Sequence, residues 1–298
     1  MLEIKSELLY TEEKAFEYVK NCEDAFEKLL SDTLSSVLNT PDLKIITLSG
    51  PSCSGKTTTA RKLTAEIEKT GRRAKVLSID DFYRDSLRFE ENPDFESAAA
   101  IDLDYFSECT KSLFEGKTTY FPVYDLGRGV RRGTAEYIPA KDDIYIFEGI
   151  QAVYPEITTH LRDLGYTSVF INVTDDVSVD GVVFDKNEIR LVRRLVRDRL
   201  FRSASAEFTF SLWDSVRSNE EKNIFPHVPA LDNFINSFLP YEFFLMRGRV
   251  IPLLETVPED SVYFERAKKL KDKVSLLPEC PVTEEMIPKN SLYREFIG

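Results

Sequence analysis

Cysteine is scarce in this chain and scattered where it occurs. Cys22, Cys53, Cys109 and Cys280 share no paired spacing. That argues against a disulfide framework or a cysteine-based zinc site, and fits free thiols in a reducing compartment. Long apolar runs are missing too: none approaches the roughly 20 residues that span a bilayer. The opening stretch MLEIKSELLYTEEKAF carries acids and no apolar centre, so it does not read as a signal peptide. Positive charge is in deficit, with 39 Lys and Arg against 51 Asp and Glu, a net charge of −12. A general nucleic-acid binder needs a basic face, and this balance argues against one. Repeats and low-complexity tracts are absent. The expectation is a dispersed cytoplasmic protein with neither a membrane nor a nucleic acid as partner.

What is present is ordinary globular composition: 298 residues, 42% hydrophobic and 30% charged, enough for one large domain or two small ones. Phe16, Val19, Cys22, Phe26, Leu30, Leu34 and Val37 recur at three- and four-residue steps. They predict an amphipathic helix over 11–38, capped by Thr11. Five short apolar runs follow: KIITLS (44–49), AKVLSI (74–79), DIYIF (143–147), TSVFINV (167–173) and RVIPLL (249–254). Strands buried on both faces read this way, and helical stretches separate most of them. The fold class is therefore α/β, with about five parallel strands flanked by helices. A buried helix can mimic one such run, but five of them bounded by polar turns favour the sheet. Residues 94–115 and 207–247 read as helices, and 117–140 as a hairpin or small flap eased by Gly127, Gly129 and Gly133. Residues 259–298 read as a helix and an irregular tail.

The most informative stretch is LSGPSCSGKTTTARKL, Leu48 to Leu63. Gly50, Gly55, Lys56 and Thr57 match G-x-x-x-x-G-K-[ST], with an apolar strand before and a helix after. Such a loop, here Gly50, Pro51, Ser52, Cys53, Ser54, Gly55, Lys56, Thr57 and Thr58, turns its N–H groups toward phosphate oxygens at a helix N-terminus. Lys56 would reach the β- and γ-phosphates, and the Thr57 hydroxyl a Mg²⁺ ion. SIDDFY places Asp80 and Asp81 just past one strand, and IFEG places Glu148 just past another. In a parallel sheet both ends fall on the edge that binds ligands. Asp80, favoured over Asp81, and Glu148 are candidate Mg²⁺ carboxylates, and phosphoryl transfer also needs a carboxylate at the acceptor hydroxyl. RLVRRLVRDRLFR puts Arg190, Arg193, Arg194 and Arg197 on one side of a helix. They predict a lid, about 186–206, that closes arginines over the transferring phosphoryl group.

In their order, the motifs GPSCSGKT, SIDDFYR, DFESAAAIDLDYF, PVYDLGRGVRR, IFEGI and RLVRRLVRD resemble those of the phosphoribulokinase and uridine kinase family. They are most similar to bacterial uridine kinase-like nucleoside kinases. The resemblance covers roughly 42–255, and the closing SLYREFIG is also similar to some bacterial members. It implies a P-loop kinase fold that uses ATP or GTP with Mg²⁺ to phosphorylate a ribose 5′-hydroxyl. By carry-over, Asp80 is the acid/base and Glu148 and Thr57 are metal-side groups. Tyr83 and Tyr124 line the nucleoside pocket, Glu96 or Asp94 holds ribose hydroxyls, Arg131 belongs to the acceptor side, and Arg190, Arg193 and Arg197 form the lid. Animal-type members read the pyrimidine with a histidine where this chain has Gly129, and His160 and His227 lie elsewhere. The expected layout is an N-terminal helical extension (1–41), a kinase domain (42–256) and a C-terminal helix and tail (257–298). The flanking parts pack on the core or form a homo-oligomer interface. Two other functions stay open: a kinase for a sugar phosphate, pantothenate or another small alcohol, and an NTP-driven switch with no acceptor.

Overall fold

The computed structural model describes residues 1–89, 94–125 and 128–298; Gly127 lies outside the described residues. The chain opens with β1 (Leu2–Ile4) and α1 (Glu12–Leu38). The Thr11 hydroxyl accepts from the Lys14 N–H at 3.3 Å, which starts α1 as the cap predicts. Phe16 departs from the expected apolar face and is 53% exposed. The buried stripe runs through Ala15 and Val19, and a neighbour one residue on is turned about 100° away.

Then come β2 (Ile45–Ser49), α2 (Lys56–Lys69), β3 (Ala74–Ser78) and α3 (Leu103–Phe114). The antiparallel hairpin of β4 (Thr119–Asp125) and β5 (Val130–Tyr137) is the flap. It leads to β6 (Ile144–Glu148), α4 (Pro155–Leu161) and β7 (Tyr166–Asn172). A short pair, β8 (Val177–Val179) and β9 (Val182–Phe184), takes β1 as a parallel third strand. The rest is α5 (Lys186–Arg202), α6 (Ala206–Asn219), β10 (Asn233–Asn236), α7 (Glu242–Leu254), α8 (Phe264–Ser275) and α9 (Arg294–Ile297).

The main sheet has five strands in the order β10-β7-β2-β6-β3, and every neighbouring pair is parallel. Glu148 lies in register with Leu48 on one side and Ser78 on the other. The loop after β2, the turn after β3 and the last residue of β6 therefore share one carboxyl edge. The apolar core is continuous from Val19 and Phe26 of α1, through β2 and β7, to Tyr293 and Phe296 near α9.

Two sequence expectations need correction. RVIPLL (249–254) is the last part of α7, and the fifth strand is β10, inside the stretch read as helices. A continuous apolar run has no period to separate a buried strand from a buried helix. The four-residue β10 buries only Ile235 fully, so its pattern was too short to register. The helix expected over 94–115 begins only at Leu103. Asp102 caps it by accepting from the Tyr105 N–H at 3.1 Å. Upstream, Ser97 accepts from the Ala99 N–H at 3.2 Å, and Ile101 bridges to Tyr83. Such side chains compete with helical backbone bonding.

Candidate active site

The loop from Gly50 to Thr58 is built by two glycines. A Cβ at Gly50 would lie 2.1 Å from the Ile171 carbonyl oxygen, and Gly55 adopts φ +94°, which glycine alone takes without strain. Cys53 is also left-handed, at φ 59°. Lys56 folds back over the loop and donates to the Gly50 and Pro51 carbonyls at 2.9 and 3.2 Å. Thr57 is exposed at the start of α2.

The arginine helix sits behind this loop. Arg190 donates to the Ser52 carbonyl at 3.3 Å, Arg193 to the Cys53 carbonyl at 3.3 Å and Arg194 to the Ser52 hydroxyl at 2.9 Å. Both Arg190 and Arg193 are 0% exposed. Glu220 grips Arg190 through two bonds of 2.7 and 2.6 Å, and Glu242 grips Arg193 through bonds of 2.7 and 2.8 Å. Glu242 beside it keeps the Arg193 guanidinium charged despite full burial. Arg197 bonds Asp198 at 2.8 Å. This corrects the expected lid for Arg190 and Arg193: sealed ion pairs do not swing over a substrate. They prop the outer side of the loop instead. Glu220 lies in a π-helical turn (Glu220–Ile224) and also accepts from the Ser52 N–H at 3.2 Å.

Two carboxylates at this edge, Asp80 and Glu148, feel the charge of Lys56. Burial pushes the Glu148 carboxyl up to about 7; Lys56 opposes the shift, while Asp80 and Glu295 add to it. Burial also raises Asp80, again against Lys56. Asp81 faces elsewhere and accepts from the Tyr124 N–H at 3.0 Å. Asp80 and Glu148 feel each other's charge and that of Lys56, and with the Thr57 hydroxyl they could offer the hard oxygen donors that Mg²⁺ takes along with phosphate oxygens and water. Among the described residues, no three His, Cys, Asp or Glu side chains cluster to hold a metal by themselves.

A polar pocket adjoins this edge. Tyr83 donates to the Phe95 carbonyl at 2.8 Å, and Gln151 donates to Tyr83 Oη and the Phe95 carbonyl at 3.0 and 2.9 Å. Tyr154 fixes the Glu96 carbonyl at 2.8 Å. Tyr124 meets Tyr83 edge-on, with ring centres 5.4 Å apart. Burial, with nearby Glu220, raises Glu96 to about 7, and its Oε2 is buried without a hydrogen-bond partner. Asp94, by contrast, is exposed and accepts from the Glu96 N–H at 3.1 Å. Arg131 bonds Asp102 at 2.9 Å and the Tyr83 carbonyl at 3.0 Å, pinning the flap to the turn after β3. On the other side of the loop, a cavity of about 800 Å³ is lined by Thr57, Thr58, Arg61, Arg197, Phe201 and Asn290.

Sequence reasoning missed Gln151, Tyr154, Glu220, Glu242 and Glu295. Gln151 interrupts an apolar stretch right after Glu148, a readable signal. The three glutamates carry none, since each acts from a distant segment.

The model of the phosphoribulokinase / uridine kinase family matches residues 45–238. The chain belongs to this family. That bears out the placement read from the ordered motifs, and makes the chain a uridine kinase-like P-loop kinase. It is 30% identical to a uridine kinase of Saccharomyces cerevisiae over 200 residues, 65% of this chain but only 36% of that enzyme. It is 28% identical to a uridine kinase of Streptococcus pyogenes over 176 residues, 58% of this chain and 76% of that one. The chain thus spans about a third of the yeast relative and three quarters of the bacterial one. A solved structure, a possible uridine kinase from Bacillus stearothermophilus, aligns with 48% of this chain and 79% of its own at 17% identity and a TM-score of 0.42. Among the described residues of this family member, no helix is long and apolar enough to cross a membrane.

Proposed function

We propose that this chain transfers the terminal phosphoryl group of ATP or GTP to the 5′-hydroxyl of a nucleoside, uridine or cytidine, with Mg²⁺. The observation that carries the reading is the shared carboxyl edge, where Glu148 pairs in register with Leu48 and Ser78 so that the loop bearing Lys56 and the turn bearing Asp80 lie on either side of it, beside the pocket of Tyr83, Glu96 and Gln151. The loop amides and Lys56 hold the triphosphate, and Arg190, Arg193 and Arg194 fix the loop's shape from behind. Thr57, Asp80 and Glu148 would hold Mg²⁺, which supplies charge neutralisation at the phosphates. Asp80 orients the acceptor hydroxyl and takes its proton; the raised proton affinity of its carboxyl suits that task. The unpartnered Oε2 of Glu96 can accept from a ribose hydroxyl. The pocket's aromatic edges exclude water, the competing acceptor.

A phosphorylated acceptor is the second reading, and the flap argues against it. Arg131 pairs with Asp102 and Arg132 with Asp125, so these cations are engaged within the protein. The test is to incubate the protein with ATP, Mg²⁺ and a panel of nucleosides and sugar phosphates, and to weigh the products by mass spectrometry. Phosphorylated uridine or cytidine, lost in Asp80→Asn, is expected. A phosphorylated sugar phosphate alone would replace the acceptor. ADP release without any phosphorylated product would leave an NTP-driven switch.

A further inference from the structure

The segment after Pro288 reaches the phosphate loop in two places. At Gly55, a Cβ would lie 2.6 Å from Leu292 Cδ1, so the leucine closes directly on the loop. At Thr58, the backbone N–H donates to Glu295 Oε2 at 2.9 Å. Thr58 lies in the first turn of α2, whose N–H groups have no partner within the helix. Those are the amides a triphosphate draws on. The negative charge of Glu295 also reaches Glu148 across the site. Beyond it lies the cavity of about 800 Å³, whose lining includes Arg61, Arg202 and Glu295 itself.

We propose that Glu295 is an internal stand-in for a donor phosphate: it fills the anion seat on Thr58 in the nucleotide-free protein and yields that seat when a triphosphate binds. This rests on reading residues 50–58 as the triphosphate cradle. A carboxylate and a phosphate oxygen are both acceptors and both anions, so one N–H does not serve the two together. The backbone carrying Glu295 is fixed: Tyr293 and Phe296 are both 0% exposed, and Ser291 donates to Glu23 at 2.6 Å. The yielding part is therefore the Glu295 side chain, which rotates into the cavity toward Arg61 and Arg202. Nucleotide affinity is then reduced by the fraction of molecules in which the seat is taken.

The test uses the full chain and inorganic tripolyphosphate, which carries no base or sugar, with binding measured by calorimetry for wild type, Glu295→Gln and Glu295→Ala. Gln keeps the shape and a neutral acceptor, so it also controls for misfolding. The expected result is binding tightened about tenfold in Glu295→Ala, as for a seat taken in about nine molecules of ten, and tightened less in Glu295→Gln. Unchanged or weaker binding in both variants overturns the proposal while leaving the cradle intact. No binding by any of the three proteins overturns the cradle reading, and this one with it.

Discussion

Removing Glu242 tests whether the arginine helix props the phosphate loop or closes over it. Arg193 has no exposure, and Glu242 accepts two of its bonds; the Ser237 carbonyl accepts another at 2.8 Å. Glu242→Gln leaves a buried guanidinium without its counter-charge, which costs about 3–5 kcal/mol. That is a large part of the roughly 5–15 kcal/mol that holds a domain together. With a urea slope near 3 kcal/mol per molar, the unfolding midpoint falls by about 1–2 M. Trp213, the single tryptophan, is 3% exposed, and its fluorescence reports the transition. The paired replacement Arg193→Met with Glu242→Leu removes both charges and regains most of the lost stability. It also leaves the Cys53 carbonyl without its donor, so nucleotide affinity falls about tenfold, the worth of one such bond to a charged donor. A double variant that binds nucleotide like wild type but turns over slowly would refute the prop and restore the lid.

Three further outcomes are expected. Asp80→Asn lowers turnover by about 10²–10⁴-fold, the usual worth of a general base, with nucleotide binding retained in a titration; retained turnover sinks its role. Glu148, raised from 4.5 to about 7 by burial, gives the native state more bound protons than the unfolded chain between those pH values. Stability therefore declines as pH rises through that window, and Glu148→Gln flattens the decline; urea midpoints at pH 5 and pH 8 decide it. Gly50→Ala places a methyl against the Ile171 carbonyl at 2.1 Å and costs about 1–3 kcal/mol, together with nucleotide binding. A variant with an unchanged melting temperature would show that the loop relaxes freely.

The parts of the site that lie close in sequence to a strand were legible. Gly50 to Thr58, Asp80 and Glu148 each follow an apolar run, and parallel strands bring such ends to one edge. The family followed from the order of those motifs. What stayed hidden depends on pairing across long stretches. Arginines at three- and four-residue steps look the same whether they face solvent, a substrate or buried acids; only Glu220 and Glu242, 30 and 49 residues from their partners, decide between these. β10 was lost because four residues hold too little pattern, and 249–254 was misread because an unbroken apolar run suits either structure. The polar residues Ser97 and Asp102 explain the late start of α3: each takes a backbone N–H two or three residues on, as a cap does, where 94–115 was read as one continuous helix.

The bond from Ser291 to Glu23 joins positions 268 apart, and Tyr241 also donates to Glu23. On the ribosome, α1 is made long before the segments that complete its contacts. Its buried glutamate has no complete set of partners until the stretch from Ser291 onward has cleared the exit tunnel. The same late stretch brings Leu292 to Gly55 and Glu295 to Thr58. The cradle is thus translated well before the stretch that finishes it, so a nascent chain stalled before Pro288 would carry a nucleotide loop without Leu292 and Glu295 and a Glu23 that lacks one of its two hydroxyl donors.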